Sequence, residues 1–169
     1  NRVPGIGDTT VAIEPPPDGS GVAGGAGVGD DLVATITPGA TDADAEDSIR
    51  YKAVWESAVP VRAALPFTEI VEVSGGTAVS MLPAGSFSKG DDIRVTVTAL
   101  DYANGSAVGG ESAGSATDSV GIENTAPVGT PDMASTAVGD AVEIAVLTND
   151  TDADGDELGV TDVTQPANG

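Results

Sequence analysis

Apolar and polar residues alternate along several short stretches of this chain. The clearest is the run 92–100 (DIRVTVTAL), in which every second residue is apolar. In the run 49–56 (IRYKAVWE), Tyr51 and Trp55 fall on an apolar face, whereas Arg50 and Lys52 fall on the opposite one. A period of two residues is that of a β-strand with one buried face. No long stretch has the 3.6-residue period of an amphipathic helix, so the pattern predicts an all-β protein.

Clusters of Gly, Pro, Asp and Asn separate these runs and are typical of turns. The Gly-rich stretch 19–29 is expected to be a loop, and Tyr102 with Asn104-Gly105 is expected to form a hairpin turn. Seven short strands at this spacing favour a β-sandwich. The predicted strands are Thr10–Glu14, Leu32–Thr37, Ile49–Glu56, Thr68–Val73, Ala78–Leu82, Asp92–Leu100 and Ala116–Ile122.

Two further strands are predicted after the sequence Asn-Thr-Ala-Pro at 124–127, at Ala141–Leu147 and Leu158–Val163. This part of the chain repeats the first: 27–30 (GVGD) recurs 110 residues later as AVGD, and 41–44 (TDAD) recurs at the same offset. Asn1 and Pro4 recur 123 residues later. We therefore predict one sandwich repeat at 1–123, a linker at 124–127, and the N-terminal part of a second, incomplete repeat at 128–169. Such a chain is expected to be a piece of a longer tandem array.

The net charge of the chain restricts the classes of partner that it is expected to bind. Six Lys and Arg oppose 27 Asp and Glu, which gives a net charge of −21. This repels phosphate backbones and anionic membrane surfaces, so neither nucleic-acid binding nor membrane association is expected. No apolar run approaches the roughly 18–20 residues that cross a membrane. Divalent cations are the natural partners, although a salt-rich medium would also explain the acidity, since salt screens the self-repulsion.

The chain has no Cys and no His. Their absence removes disulfides, thiolate metal sites and Ser-His-Asp or Cys-His catalysis from the chemistry available to it. A glycosidase-like pair of acids is conceivable, but nothing in the sequence raises one pair above the others. We therefore predict that the protein is not an enzyme.

The strongest chemical motif is the run 149–156 (NDTDADGD), which contains Asp150, Asp152, Asp154 and Asp156. Alternating carboxylates beside a Gly that permits a tight turn resemble the first half of a calcium loop. An EF-hand would need a Glu at position 161, which is Thr, so that type of loop is rejected. The alternative is a solvated acidic turn. The equivalent turn of the first repeat offers Asp42 and Asp44, with the same two interpretations.

The segments 124–127 (NTAP), 146–158 (VLTNDTDADGDEL) and 163–169 (VTQPANG) resemble the bacterial cadherin-like and immunoglobulin-like repeats of large secreted adhesins and surface proteins. Residues 1–123 are similar to a sister repeat of fibronectin-III or PKD type. The resemblance implies Ig-like or fibronectin-III-like β-sandwiches in tandem, in a secreted or cell-surface protein. It also implies calcium ligands near the domain junction, which adds Asn124 and Asp101 to the candidate ligands.

The expected function is that of a calcium-stiffened spacer for adhesion or assembly, with neighbouring repeats of the same chain as its partners and identical chains in a fibre or sheath as further candidates. One alternative is an accessory carbohydrate-binding module of a secreted polysaccharide-active enzyme. For that role, Trp55 and Tyr51 would have to form an exposed stacking platform, whereas a Trp on a central sandwich strand is ordinarily core. Another alternative is an adhesion contact through an exposed sheet edge.

Overall fold

The computed structural model describes residues 3–14, 26–27, 29–41, 48–57, 65–103 and 106–164. Eight strands and no helix occur in these ranges, so the predicted all-β fold is confirmed. The strands are β1 (Thr10–Glu14), β2 (Leu32–Thr37), β3 (Ser48–Ser57), β4 (Phe67–Val71), β5 (Ala78–Leu82), β6 (Asp92–Ala103), β7 (Ser106–Glu111) and β8 (Ala116–Gly121).

The strands form two antiparallel sheets. The smaller sheet has the order β1-β2-β5, and the larger has β4-β3-β6 followed by both β7 and β8. The 12-residue strand β6 pairs with two strands along the same edge. Its first half pairs with β8, and its last residues pair with β7. The chain crosses between the sheets three times, after β2, after β4 and after β5. This arrangement is consistent with the predicted Ig-like sandwich.

The core is built from the inward positions of the alternating strands. Trp55 on β3 is fully buried, and so are Ile36 on β2 and both Val95 and Val97 on β6. Trp55 lies directly opposite Val95 in the ladder between β3 and β6. The predicted orientation of these strands, with Tyr51 and Trp55 inward, is therefore confirmed.

A chain of side-chain hydrogen bonds connects the two sheets inside this core. The indole Nε1 of Trp55 donates to Oγ of Ser80 on β5 at 2.9 Å. The same hydroxyl donates to Oε2 of Glu69 on β4, also at 2.9 Å. Buried polar groups cost free energy unless they are hydrogen-bonded, and here the hydroxyl satisfies the indole N–H. The smaller sheet is thereby joined to two strands of the larger one.

Several predicted elements differ from the structure. Strand β7 was not predicted, and Tyr102 lies within β6 rather than in a turn. The residue pair Ala103 and Ser106 ends the β6–β7 ladder. The predicted turn residues Asn104 and Gly105 lie outside the described residues. Most of the predicted loop at 19–29 also lies outside them. Every residue of β7 is exposed, so the strand lacks the alternation on which the prediction depended.

The chain divides into two compact units, Asn1–Asn124 and Thr125–Gly169. All eight strands belong to the first unit. In the described part of the second unit, 125–164, the predicted strands at 141–147 and 158–163 are not formed, so that prediction was wrong. A strand needs a neighbour to exchange backbone hydrogen bonds with. These segments have no such neighbour within the described residues.

Hydrogen bonds of the first unit recur in the second. Gly5 and Thr41 exchange backbone bonds of 3.1 and 3.2 Å, and Val128 and Thr151 exchange bonds of 2.8 and 3.1 Å. The backbone bond from Asp30 N to Gly27 O, 3.2 Å long, recurs as a bond of 3.1 Å from Asp140 N to Ala137 O. These pairs are related by the same offsets of 123 and 110 residues that relate the repeated sequences. The sequence repeat is therefore also a structural repeat at these two places.

Candidate metal centre

The run 149–156 of the second unit, which we call the acidic loop, brings three carboxylates together. One oxygen each from Asp152, Asp154 and Asp156 lies within 4.8 Å of the others, and all three residues are half-buried. The alternate residues Ala153 and Gly155 point to solvent. Gly155 has a φ of +73°, a conformation that favours Gly, and its N–H donates to the carbonyl of Asp152 at 3.3 Å. The tight turn is what puts alternate carboxylates on one side of the loop.

Asp152 organises this turn through its side chain. Its Oδ1 accepts the backbone N–H of Asp154 at 2.8 Å and that of Asp156 at 3.2 Å. The backbone therefore wraps around one carboxylate oxygen. Short polar side chains such as Asp are well suited to such local bonds. Both of these bonds use the same oxygen of Asp152.

Asp154 divides its two oxygens between different environments. Oδ2 accepts the backbone N–H of Thr125 at 2.5 Å. Oδ1 is buried, and it has no hydrogen-bond partner among the described residues. A buried carboxylate oxygen without a partner is costly, and such a group calls for a specific explanation such as a bound ion. The donor set therefore fits a hard cation, which would coordinate Oδ1.

Asp150 lies at the start of the loop and is not one of the three clustered carboxylates. Its Oδ1 accepts the backbone N–H of Thr130 at 2.7 Å. Asp150 and Asp154 thus bind two N–H groups of the same segment, 125–130. Thr125 and Thr130 could not be predicted from the sequence, because every residue except Pro offers a backbone N–H and no side-chain pattern marks the ones that are used.

All the charged side chains in the second unit are acidic. Residues 125–169 contain nine acids and no Lys, Arg or His. In the first unit, by contrast, Glu72, Glu111 and Glu56 pair with Arg50, Lys52 and Arg94 on the outer face of the larger sheet. No basic side chain of the second unit can neutralise the acidic loop, so neutralisation has to come from outside that unit.

The other predicted ligands are not brought into this cluster. Asp42 and Asp44 lie outside the described residues. Asp101 is fully buried in β6 of the first unit, where a Cβ added to Gly109 would come within 2.8 Å of its Oδ2. Asn124 is exposed at the end of the first unit, and its Oδ1 accepts a bond from Lys89 Nζ at 3.2 Å. A role for these residues in a calcium site stays a prediction.

The aromatic side chains do not form the stacking platform that a carbohydrate-binding module would need. Trp55 and Tyr51 are 0% and 1% exposed, which confirms that they belong to the core. Phe87 is buried as well, and Phe67 and Tyr102 are half-buried. The Tyr102 ring is further covered by the guanidinium of Arg50, whose Cζ lies 3.7 Å from the ring centroid.

Residues 124–169 match the family model of the bacterial Ig domain. The match covers about a quarter of the chain and includes the whole acidic loop. It confirms the predicted resemblance to bacterial Ig-like repeats, while the narrower cadherin-like, fibronectin-III or PKD type stays a prediction. Searches of curated proteins and of solved structures gave no match.

The matched family is a non-catalytic fold type that typically occurs in surface proteins. Within the described residues, no helix is long and apolar enough to cross a membrane.

Proposed function

We propose that this chain is a non-enzymatic structural repeat of an extracellular surface or fibre protein, and that calcium bound by the acidic loop of its second unit stiffens it. The calcium proposal depends on Asp154, whose Oδ1 is buried and has no hydrogen-bond partner among the described residues. The carboxylate of Asp154 also clusters with those of Asp152 and Asp156. The match of 124–169 to the bacterial Ig domain supports the structural role.

Calcium suits this loop better than other common ions. Ca²⁺ binds about six to eight oxygen ligands in a flexible geometry, whereas Mg²⁺ demands a small octahedral shell. Three carboxylates supply part of such a shell, and backbone carbonyls and water would complete it. The absence of Cys and His from the chain removes the ligands that zinc and copper prefer.

An extracellular location fits both the charge and the ion. Extracellular calcium modules bind at roughly 10⁻⁴–10⁻³ M, so such a site would be filled outside the cell. Neighbouring repeats of the same chain would be its immediate partners, and identical chains in a fibre or sheath are further candidates. The ion would relieve the repulsion among the acids, and it would limit the motion of the loop that holds them.

Calorimetric titration of the whole chain tests this proposal. Calcium should bind with a dissociation constant in the extracellular range, and magnesium at matched ionic strength should bind much more weakly. The double variant Asp152→Ala/Asp154→Ala should show no saturable heat of calcium binding. The matched control is Asp132→Ala/Glu143→Ala, which removes the same charge from exposed residues of the same unit and should retain binding.

Two results would overturn the calcium site. If calcium gives no saturable heat, screening alone explains the acidity of the chain. If the control variant loses as much binding as Asp152→Ala/Asp154→Ala, the ions form a diffuse atmosphere around the second unit rather than occupying a site in the loop.

A further inference from the structure

We propose that the acidic loop is a calcium-dependent latch that holds the segment Thr125–Thr130 in place. This inference rests on the calcium site proposed above and adds what the ion controls. Its basis is that Asp154 and Asp150 each use one carboxylate oxygen to bind a backbone N–H of this segment. The other oxygen of Asp154 is buried and has no hydrogen-bond partner among the described residues, and Asp154 is one of the three clustered carboxylates.

The contacts between segment and loop run in antiparallel order. Thr125 N–H binds Asp154, Val128 and Thr151 exchange backbone bonds, and Thr130 N–H binds Asp150. As the segment advances, its partners move back along the loop. Two of the three contacts therefore depend on the position of a carboxylate, and both carboxylates belong to the acidic loop.

The described residues of the first unit hold the equivalent segment through other contacts. There the Gly5–Thr41 bridge is followed by a close approach of the backbone at Gly7 to that at Gly39. Thr9 is buried beside it, and its hydroxyl accepts the N–H of Gly39 at 3.0 Å. The position equivalent to Asp150 is Ala40, which has no carboxylate. In the described residues of the first unit, this junction is therefore held by a close backbone approach and a hydroxyl hydrogen bond.

The second unit has no such packing for its segment. Residues 126–136 are all exposed, so no buried side chain among them fixes the segment to a core. Without a cation, the clustered carboxylates repel one another, and the loop is free to move away from the geometry in which it accepts both N–H groups. A bound ion fixes the carboxylates and with them the acceptors. By linkage, the docked segment must favour ion binding by the same factor.

Amide hydrogen exchange measured residue by residue tests the latch on the intact chain. With saturating calcium, exchange at Thr125 and Thr130 should slow at least fivefold relative to chelator, the low end of typical coupling between sites. Two control amides should not respond. They are Asp140, whose N–H binds Ala137 in a separate turn of the second unit, and Ile122, whose N–H binds Asp91 in the first unit.

One variant separates the loss of calcium binding from the loss of the hydrogen bond to Thr125. Asp154→Asn retains a carbonyl oxygen that can accept the N–H of Thr125 but loses the charge that binds calcium. We expect it to bind calcium at least tenfold more weakly, and at a calcium concentration that saturates only the parent chain its Thr125 exchange should stay fast. The control Asp132→Asn, at an exposed acid outside the loop, should behave as the parent chain does.

The outcomes distinguish the latch from the calcium site itself. If calcium binds the parent chain but Thr125 and Thr130 exchange as fast as in chelator, the latch is wrong and the calcium site stands. If calcium does not bind, both proposals fall. If Asp140 and Ile122 slow as much as Thr125, the effect is general screening, and the latch is wrong.

Discussion

At the scale of single residues, the small side chain of Ser80 connects the two sheets through hydrogen bonds. Its hydroxyl accepts the indole N–H of Trp55 and donates to Glu69, and Ser80 itself is fully buried. Ser80→Ala should destabilise the protein by about 1–3 kcal/mol, because it leaves the buried indole N–H without a partner. Urea unfolding followed by the fluorescence of Trp55, the single tryptophan, measures this change directly.

Ser119→Ala is the matched control for that substitution. Ser119 lies on β8 with an exposed side chain, so its loss should change stability by less than about 0.5 kcal/mol. Equal effects of the two variants would show that the hydrogen-bond chain through Ser80 does not contribute to stability.

The orientation of Trp55 could be predicted from the sequence, but its hydrogen bond could not. Alternation along β3 places Trp55 on the apolar face whatever the rest of the fold may be. Its partner Ser80 comes from a strand of the other sheet, 25 residues away, and only the packing of the sheets brings them together. For the same reason the sequence reveals the carboxylates of the acidic loop, but not the backbone N–H groups of Thr125 and Thr130.

At the scale of elements, β7 shows how a strand can form without a buried face. None of its residues belongs to the core, and its ladder to β6 is irregular between Leu100 and Tyr102. A side-chain contact reinforces it: Lys52 on β3 reaches across β6 to Glu111 at the end of β7, with an Nζ–Oε1 distance of 2.5 Å. Thr98 on β6 donates to the other oxygen of Glu111 at 3.2 Å.

The ion pair between Lys52 and Glu111 predicts a pKa shift that titration can measure. The hydrogen bond that Lys52 donates to Glu111 holds the pKa of Glu111 below its ordinary value, and the positive charge of Lys52 acts in the same direction. Lys52→Met should therefore raise the pKa of Glu111, and Thr98→Val should raise it less, as measured by NMR titration of the carboxyl carbon. A carboxyl whose pKa is lowered by folding stabilises the folded state above its unfolded pKa. The stability difference between Lys52→Met and the parent chain should thus be present at neutral pH and vanish as the pH falls through the pKa of folded Glu111.

The pair is exposed, so we expect that stability difference to be small and to shrink further with added salt. An unchanged pKa of Glu111 in Lys52→Met would show that another group lowers it.

The two kinds of error in the predicted strands have opposite causes. Strand β7 was missed because its pairing comes from the hairpin with β6 and not from a pattern of its own. The segments 141–147 and 158–163 were predicted as strands from their sequence pattern, but no neighbouring strand pairs with them in the described residues. The apolar positions Val142, Ile144 and Val146 correspond by the 110-residue offset to Leu32, Ala34 and Ile36 of β2, which lies between β1 and β5. The same alternation therefore gives a strand only where neighbouring strands are present.

At the scale of the whole molecule, the two units differ in how well they cover their apolar residues. The three inward residues of β2 are fully buried, whereas Val142, Ile144 and Val146 are 47%, 45% and 41% exposed. The first unit encloses a core between two sheets, and the described part of the second has no sheet. Exposed apolar surface contributes no hydrophobic stabilisation, and a unit of this size buries little of its surface even when it is folded.

We therefore expect the two units to behave differently when they are separated. A fragment of residues 1–124 should unfold cooperatively, with the fluorescence change of Trp55 coinciding with the loss of strand signal in circular dichroism. A fragment of residues 125–169 should show no cooperative melt in chelator, because it would have to order its backbone without a buried core to offset the lost entropy. Saturating calcium should order the acidic loop and the segment it holds without producing a β-sheet spectrum. A cooperative melt of 125–169 in chelator would contradict this, since it would require a core that the described residues do not form.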